Sequence, residues 1–209
     1  MKFIQLLIIG MVLQIVTING VFAQKEGEKS EEVYKPSETS IAVLFAPNFS
    51  SDKWEGQKKK ESVAARQIIY KLFAERGFQS ISSEKVDDEV SKEKIDLLKE
   101  DQWTKSNFYK IGKETGADLV AFVLIKQTRQ KTVSNLLMSS YQAEAEIEVW
   151  LLDVKRETAL INDEASRGQA NRGARGAGSR RISAVEFAVK KALEPILKSY
   201  VKTDTKKKK

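Results

Sequence analysis

The sequence predicts a single α/β domain in which helices pack on a mixed sheet. Three patterns point to it. The runs Ile41–Phe45 and Leu119–Ile125 are apolar on both faces, as central strands covered from both sides are. From Tyr141 to Leu151, apolar residues at odd positions alternate with Gln142, Glu144, Glu146 and Glu148, the period of a strand with one buried and one wet face. In two further stretches, around residues 58–76 and 184–197, apolar residues recur at helical spacing.

Taken in order, the chain opens on a leader. Lys2 supplies a charge, Phe3 to Ile18 is mostly apolar, and Val21-Phe22-Ala23 precedes Gln24. This is the layout of a signal peptide spanning residues 1–23, and it predicts an exported protein, periplasmic or extracellular. The same run approaches the roughly 20 residues of a membrane helix, so an uncleaved anchor is the alternative. With no cysteine in the chain, no lipid can be attached at the cleavage point, and after cleavage the protein is expected not to span a membrane. Residues 24–38 are charged, nearly free of apolar side chains and include Pro36, and they read as a flexible spacer.

The domain is expected over residues 39–201, followed by a basic tail, 202–209. After the first strand comes a helix from about Lys58 to Arg76. Gly77 can take positive φ beyond its end, and Phe78 can fold back on its last turn. A short strand over 78–82 and a charged helix over 86–98 follow. Phe108, Ile111, Gly112 and Thr115 line a further helix, ended by Gly116. The strands 119–125 and 141–151 are joined by a connection over Gln127–Ser140. Asp153–Thr158 is a hairpin turn into a return strand over 159–166. Ser183-Ala-Val-Glu186 has the spacing of a capping box, and it predicts a last helix starting there, with Pro195 kinking it.

Among 209 residues there is neither histidine nor cysteine. That excludes Ser-His-Asp and Cys-His nucleophilic sites, the HExxH motif, Cys/His zinc sites and any disulfide framework. No cofactor and no metal site are expected. The net charge of +7 falls to +6 once the leader's single Lys2 is removed. Residues 202–209 carry +4 of it and the stretch 167–181 carries +5, so the rest of the chain is slightly acidic. An anionic partner is therefore expected to be met by those two segments.

The candidate binding residues are Arg167, Arg172, Arg175, Arg180 and Arg181. With four glycines among them they read as a mobile loop presenting guanidinium groups to phosphate or carboxylate, against the alternative of a solvated linker. The stretch lacks the aromatics that stack on bases, so nucleic acid is not the expected partner. Glu144, Glu146 and Glu148 fit a hard-metal or acid–base site on one side. On the other they fit a solvated face balanced by Lys126, Arg129 and Lys131 on an adjacent strand, and this is the expectation. Trp54, Trp103 and Trp150 read as packing residues, and Gly112 and Gly116 as structural.

The stretch Ile111-Gly-Lys-Glu-Thr-Gly-Ala-Asp-Leu-Val-Ala-Phe-Val-Leu-Ile125 resembles the helix-to-strand junction of one superfamily. Together with residues 146–155, the helix 184–197 and the first strand, it resembles the periplasmic domain of curli-secretion (CsgG-like) proteins. It is similar likewise to the penicillin-binding-protein activators (LpoB-like) and to the amino-terminal domain of TolB. The resemblance spans about residues 40–200 and carries no catalytic residue. It implies a TolB-amino-terminal-like fold and a non-catalytic envelope protein that binds a partner in assembly or secretion. A secretion pore is not implied, because the chain lacks the lipidated cysteine and the connection 127–140 is too short for membrane hairpins. The partner would be an envelope protein or an anionic envelope polymer. Two other readings stay open: a polyanion-binding protein using the Arg/Gly stretch, and an enzyme built on facing carboxylates.

Overall fold

Ile41, Ala42 and Val43 are wholly buried, and they form the middle of the first strand, β1 (Ser40–Val43). The remaining elements of the computed structural model follow in order as α1 (Glu55–Ala74), β2 (Gln79–Ser80), α2 (Ser83–Lys92), α3 (Lys105–Thr115), β3 (Leu119–Asn135), β4 (Met138–Asp153), β5 (Thr158–Ala170) and α4 (Ala177–Ser199). The structure describes residues 34–51, 54–135, 138–170 and 177–199. The leader, most of the spacer and the basic tail lie outside these.

The five strands form one sheet in the order β2-β1-β3-β4-β5. β1 runs parallel to β2 and β3, while β3, β4 and β5 form an antiparallel meander. The two strands expected to be central, β1 and β3, are both interior to it. This is the mixed α/β sheet that the sequence predicts.

Side-chain alternation divides the core into two layers. Ile41, Val43, Leu119, Ala121, Val123 and Ile125 join the apolar face of β4 against α1 and α4. Ala42, Leu44, Val120, Phe122 and Leu124 face the other way, toward Val86 of α2 and Phe108 and Ile111 of α3. Helix ends follow the sequence closely. Gly77 sits at φ +90°, and Phe78 stacks edge-on against Phe73 with ring centroids 5.1 Å apart. Gly116 takes φ +72° to end α3, whose first turn is capped by Thr104 accepting from the amide of Asn107. Gly112 faces Val154 and Val120 so closely that a Cβ would stand 2.4 Å from a Val154 methyl.

Four expectations are corrected. Residues 34–38, assigned to the spacer, belong to the folded body, which starts at Tyr34. Pro36–Glu38 make a 3₁₀ turn, and the Tyr34 hydroxyl donates to Asp153. The charged helix after β2 occupies 83–92 rather than 86–98. The connection 127–140 is mostly strand: β3 and β4 pair as far as Asn135 and Met138. Its first half, Gln127–Thr132, is all polar, so the sequence carries no apolar alternation there to mark a strand. Finally, α4 begins at Ala177, placing Ser183 inside the helix and not at its cap. Within the added turns Arg181 reaches the buried Glu61, and beyond them α4 lies along β5 and β4 and buries Ala184, Val185, Ala188, Val189, Ala192 and Leu193.

Candidate functional site

The five arginines do not form one loop. Arg167 lies in β5, where its guanidinium pairs with Glu146 at 3.4 Å. Arg180 and Arg181 lie in the first turns of α4. Arg181 approaches the wholly buried Glu61 to 4.0 Å, and burial pushes its guanidinium below its ordinary pKa. Glu61 accepts further hydrogen bonds from Asn48, Gln57 and Thr128 at 2.9–3.1 Å. Arg172 and Arg175 lie outside the described residues. The mobile-loop expectation therefore fails at both ends of the stretch. Gly168, one of the glycines that suggested mobility, is instead a packing position: a Cβ there would meet the Ala184 carbonyl oxygen at 2.0 Å and the Ala188 amide nitrogen at 2.5 Å.

The acidic face of β4 is balanced by the cations expected. Glu144 pairs with Arg129 at 2.6 Å and Lys131 at 2.9 Å, and Glu148 pairs with Lys126. The Lys131 ammonium, with Arg129 beside it, outweighs desolvation and holds the Glu144 carboxyl below its usual range. A register shift between Ile125 and Gln127 makes this face possible. Ahead of it the odd residues of β3 point inward, and after it the even residue Thr128 is buried, so Lys126, Arg129 and Lys131 share one exposed side. Among the described residues no cluster of three or more metal-ligating side chains occurs.

Beside that face, where α3 no longer covers the sheet, an open groove of about 630 Å³ is lined by Phe49, Leu98, Glu100, Trp103, Leu124, Lys126, Glu148 and Trp150. Leu124 of β3 is its buried floor, and Trp150 of β4 is one wall. The segment between α2 and α3 supplies Leu98 and Trp103, and the chain after β1 supplies Phe49. The aromatic rings touch in a chain of tilted pairs: Phe49 to Trp103 at 5.6 Å, Trp103 to Phe122 at 5.7 Å, and Phe122 to Trp150 at 5.0 Å between centroids. The Trp103 indole is fixed by donating to the Leu97 carbonyl at 2.9 Å. Phe49 and Leu98 stay 49% and 62% exposed, so the groove offers rigid apolar surface with one ion pair at its edge. Such a surface suits an apolar or aromatic side chain of a partner, held by burial and oriented by the Lys126–Glu148 pair.

Sequence reasoning read Trp54, Trp103 and Trp150 as packing residues; Trp103 and Trp150 do pack on Phe122, but Trp54, just ahead of α1, is 75% exposed and is not part of the core. It did not single out Phe49 or Leu98. The available signal was large apolar residues in polar connecting segments near tryptophans.

No protein-family model matches the chain, and no curated protein matches it. Among solved structures, it is similar to lipoprotein GNA1162 from Neisseria meningitidis at 13% identity, covering 77% of this chain and 99% of that one, TM-score 0.48. It is similar to PelC from Paraburkholderia phytofirmans at 13% identity, covering 77% and 90%, TM-score 0.43. A third is the LpoB C-terminal domain from Salmonella enterica at 11% identity, covering 67% and 86%, TM-score 0.37. Each is a likeness in the arrangement of strands and helices, and the LpoB type resembled by the sequence is among them.

Proposed function

We propose that the chain is an exported, non-catalytic protein of the cell envelope that binds a protein partner through the aromatic groove between β3, β4 and the α2–α3 connection. The observation that carries this is the exposure of Phe49 and Leu98 beside Trp103, fixed by its hydrogen bond, and Trp150, packed on Phe122. Large apolar side chains left in water next to a rigid aromatic wall cost the free protein solubility, and a partner that covers them recovers that burial. The leader layout supports export. The absence of histidine and cysteine removes the commonest nucleophiles and transition-metal ligands, which favours binding over catalysis. The resemblance to envelope assembly and secretion accessory proteins points the same way. Carboxylate catalysis has little to recommend it, because Glu144, Glu146 and Glu148 are each engaged by a cation.

The test is capture of partners from an envelope fraction by the wild-type chain and by a Phe49→Ser, Leu98→Glu double variant, with bound proteins identified by mass spectrometry. Both side chains are exposed, so the variant keeps its fold and its melting temperature. Losing two apolar anchors at the centre of an interface costs at least about 2 kcal/mol, roughly thirty-fold in affinity. An identical set of captured proteins for both chains overturns the proposal.

A further inference from the structure

On the sheet face opposite the groove, α1 and α4 lie side by side, and their outer surface carries a second feature. Along α4 the exposed positions Phe187, Lys190, Lys191, Glu194 and Lys198 follow helical spacing and form one stripe, opposite the buried Val185, Ala188, Val189, Ala192 and Leu193. With Leu72 and Arg76 of α1 they line a shallow depression of about 450 Å³. Phe187 is 55% exposed. The only acid of the stripe, Glu194, is neutralised by Lys198 at 2.9 Å. Arg76 is anchored by donating to the Leu197 carbonyl at 3.1 Å. Among the described residues neither Lys190 nor Lys191 has an ion-pair partner. The sequence after Ser199 continues with Lys202 and Lys206–Lys209 against one acid, Asp204.

We propose that this face of α4 docks the protein on an anionic lipid bilayer. An exposed aromatic ring flanked by unpaired ammonium groups is the arrangement that binds such a surface. The ring enters the headgroup boundary while the lysines stay at the level of the phosphates. Charge complementarity selects this occupant over a protein groove-binder, since the stripe has one large apolar residue and a surplus of cations. The docking face and the groove lie on opposite sides of the sheet, leaving the groove open to a partner.

The experiment is sedimentation of the chain recovered after export with vesicles of phosphatidylcholine alone and of phosphatidylcholine with one-third phosphatidylglycerol, at low and high salt. Four proteins are compared: wild type, Lys190→Gln/Lys191→Gln, Phe187→Ser, and a variant with Lys206–Lys209 all changed to Gln. Wild type is expected to bind only the anionic vesicles and to be released by salt. Each lysine removed from the stripe lowers partitioning about five-fold, so the double variant loses about 25-fold. Phe187→Ser lowers binding several-fold without changing the salt dependence. Phe187, Lys190 and Lys191 are exposed and Lys206–Lys209 follow the last helix in sequence, so circular dichroism melts are expected to coincide and exclude misfolding. Absence of binding to anionic vesicles overturns the proposal, as does equal binding to neutral ones. It is overturned too if the Lys190/Lys191 variant binds like wild type while the tail variant does not, or if soluble polyphosphate binds wild type as tightly as vesicles do and Phe187→Ser is silent.

Discussion

Replacing Gly168 by alanine adds one methyl group at the place where α4 rests on the sheet. The backbone there is an ordinary strand, so the change creates no conformational strain of its own. The cost is steric. The new Cβ would stand 2.0 Å from the Ala184 carbonyl oxygen, 2.5 Å from the Ala188 amide nitrogen and 3.0 Å from the Ala188 Cβ. Two of these neighbours are backbone atoms within α4, which cannot rotate away as a flexible side chain would. The helix must lift by an ångström or more, loosening Ala184, Val185, Ala188 and Val189, all completely buried. Overpacking of a core costs about 1–3 kcal/mol, and a clash with backbone belongs at the upper end. For a domain of this size about 3 kcal/mol lowers the melting temperature by about 6–12 °C. A thermal melt followed by far-ultraviolet circular dichroism reads this directly. Gly56→Ala is the internal control, because nothing lies within 4 Å of its would-be Cβ in α1. It is expected to stabilise by about 0.5 kcal/mol through helix propensity. A Gly168→Ala protein melting within about 2 °C of wild type would refute the close seating of α4 on β5.

Tyr34→Phe removes the hydroxyl that donates to the buried Asp153 and is expected to cost about 1.5 kcal/mol, as hydrogen bonds to charged groups do; an unchanged melt would return Tyr34 to the spacer. Burial opposes ionisation at Asp153, yet Tyr34, the Arg156 amide and the Arg156 guanidinium together hold its carboxyl below the usual range. A depressed folded-state value means its contribution is complete above about pH 4 and disappears as the pH falls through that lower value. Asp153→Asn should therefore melt earlier at neutral pH but show a flatter decline below about pH 4, and parallel acid limbs for the two proteins would contradict this. The exported chain is expected to begin at Gln24 on amino-terminal sequencing, whereas a membrane-bound product retaining Met1 would favour the anchor.

Much of the frame is local information. The two-sided apolarity of residues 41–45 and 119–125 placed both strands inside the sheet, because only a strand covered on both faces tolerates that composition. Gly77 and Gly116 end helices at positive φ, as their positions after apolar-periodic stretches implied. The charge pairing of Glu144 and Glu148 with Lys126, Arg129 and Lys131 was also legible, since a wet strand face needs neutralising neighbours. The aromatic groove was not. Its walls come from residues 49, 98–103, 124–126 and 148–150, which have no shared periodicity and meet only after β3 and β4 pair.

What the sequence by itself determined is the layering of this protein: which segments are buried on two faces, which on one, and where helices stop. These follow from side-chain polarity and backbone permissiveness over a few residues, and neither depends on distant contacts. Only the tertiary structure decided how far β3 and β4 extend, where α4 begins and what the Arg/Gly stretch becomes. In each case local preference was weak or opposed. The all-polar run Gln127–Thr132 shows no apolar period, glycines disfavour helix, and arginines suggest solvent. Cross-strand ion pairs, the bulge after Ile125, the Glu61–Arg181 contact and the fit of α4 onto Gly168 then settled the outcome, because their energy comes from partners far apart in the chain.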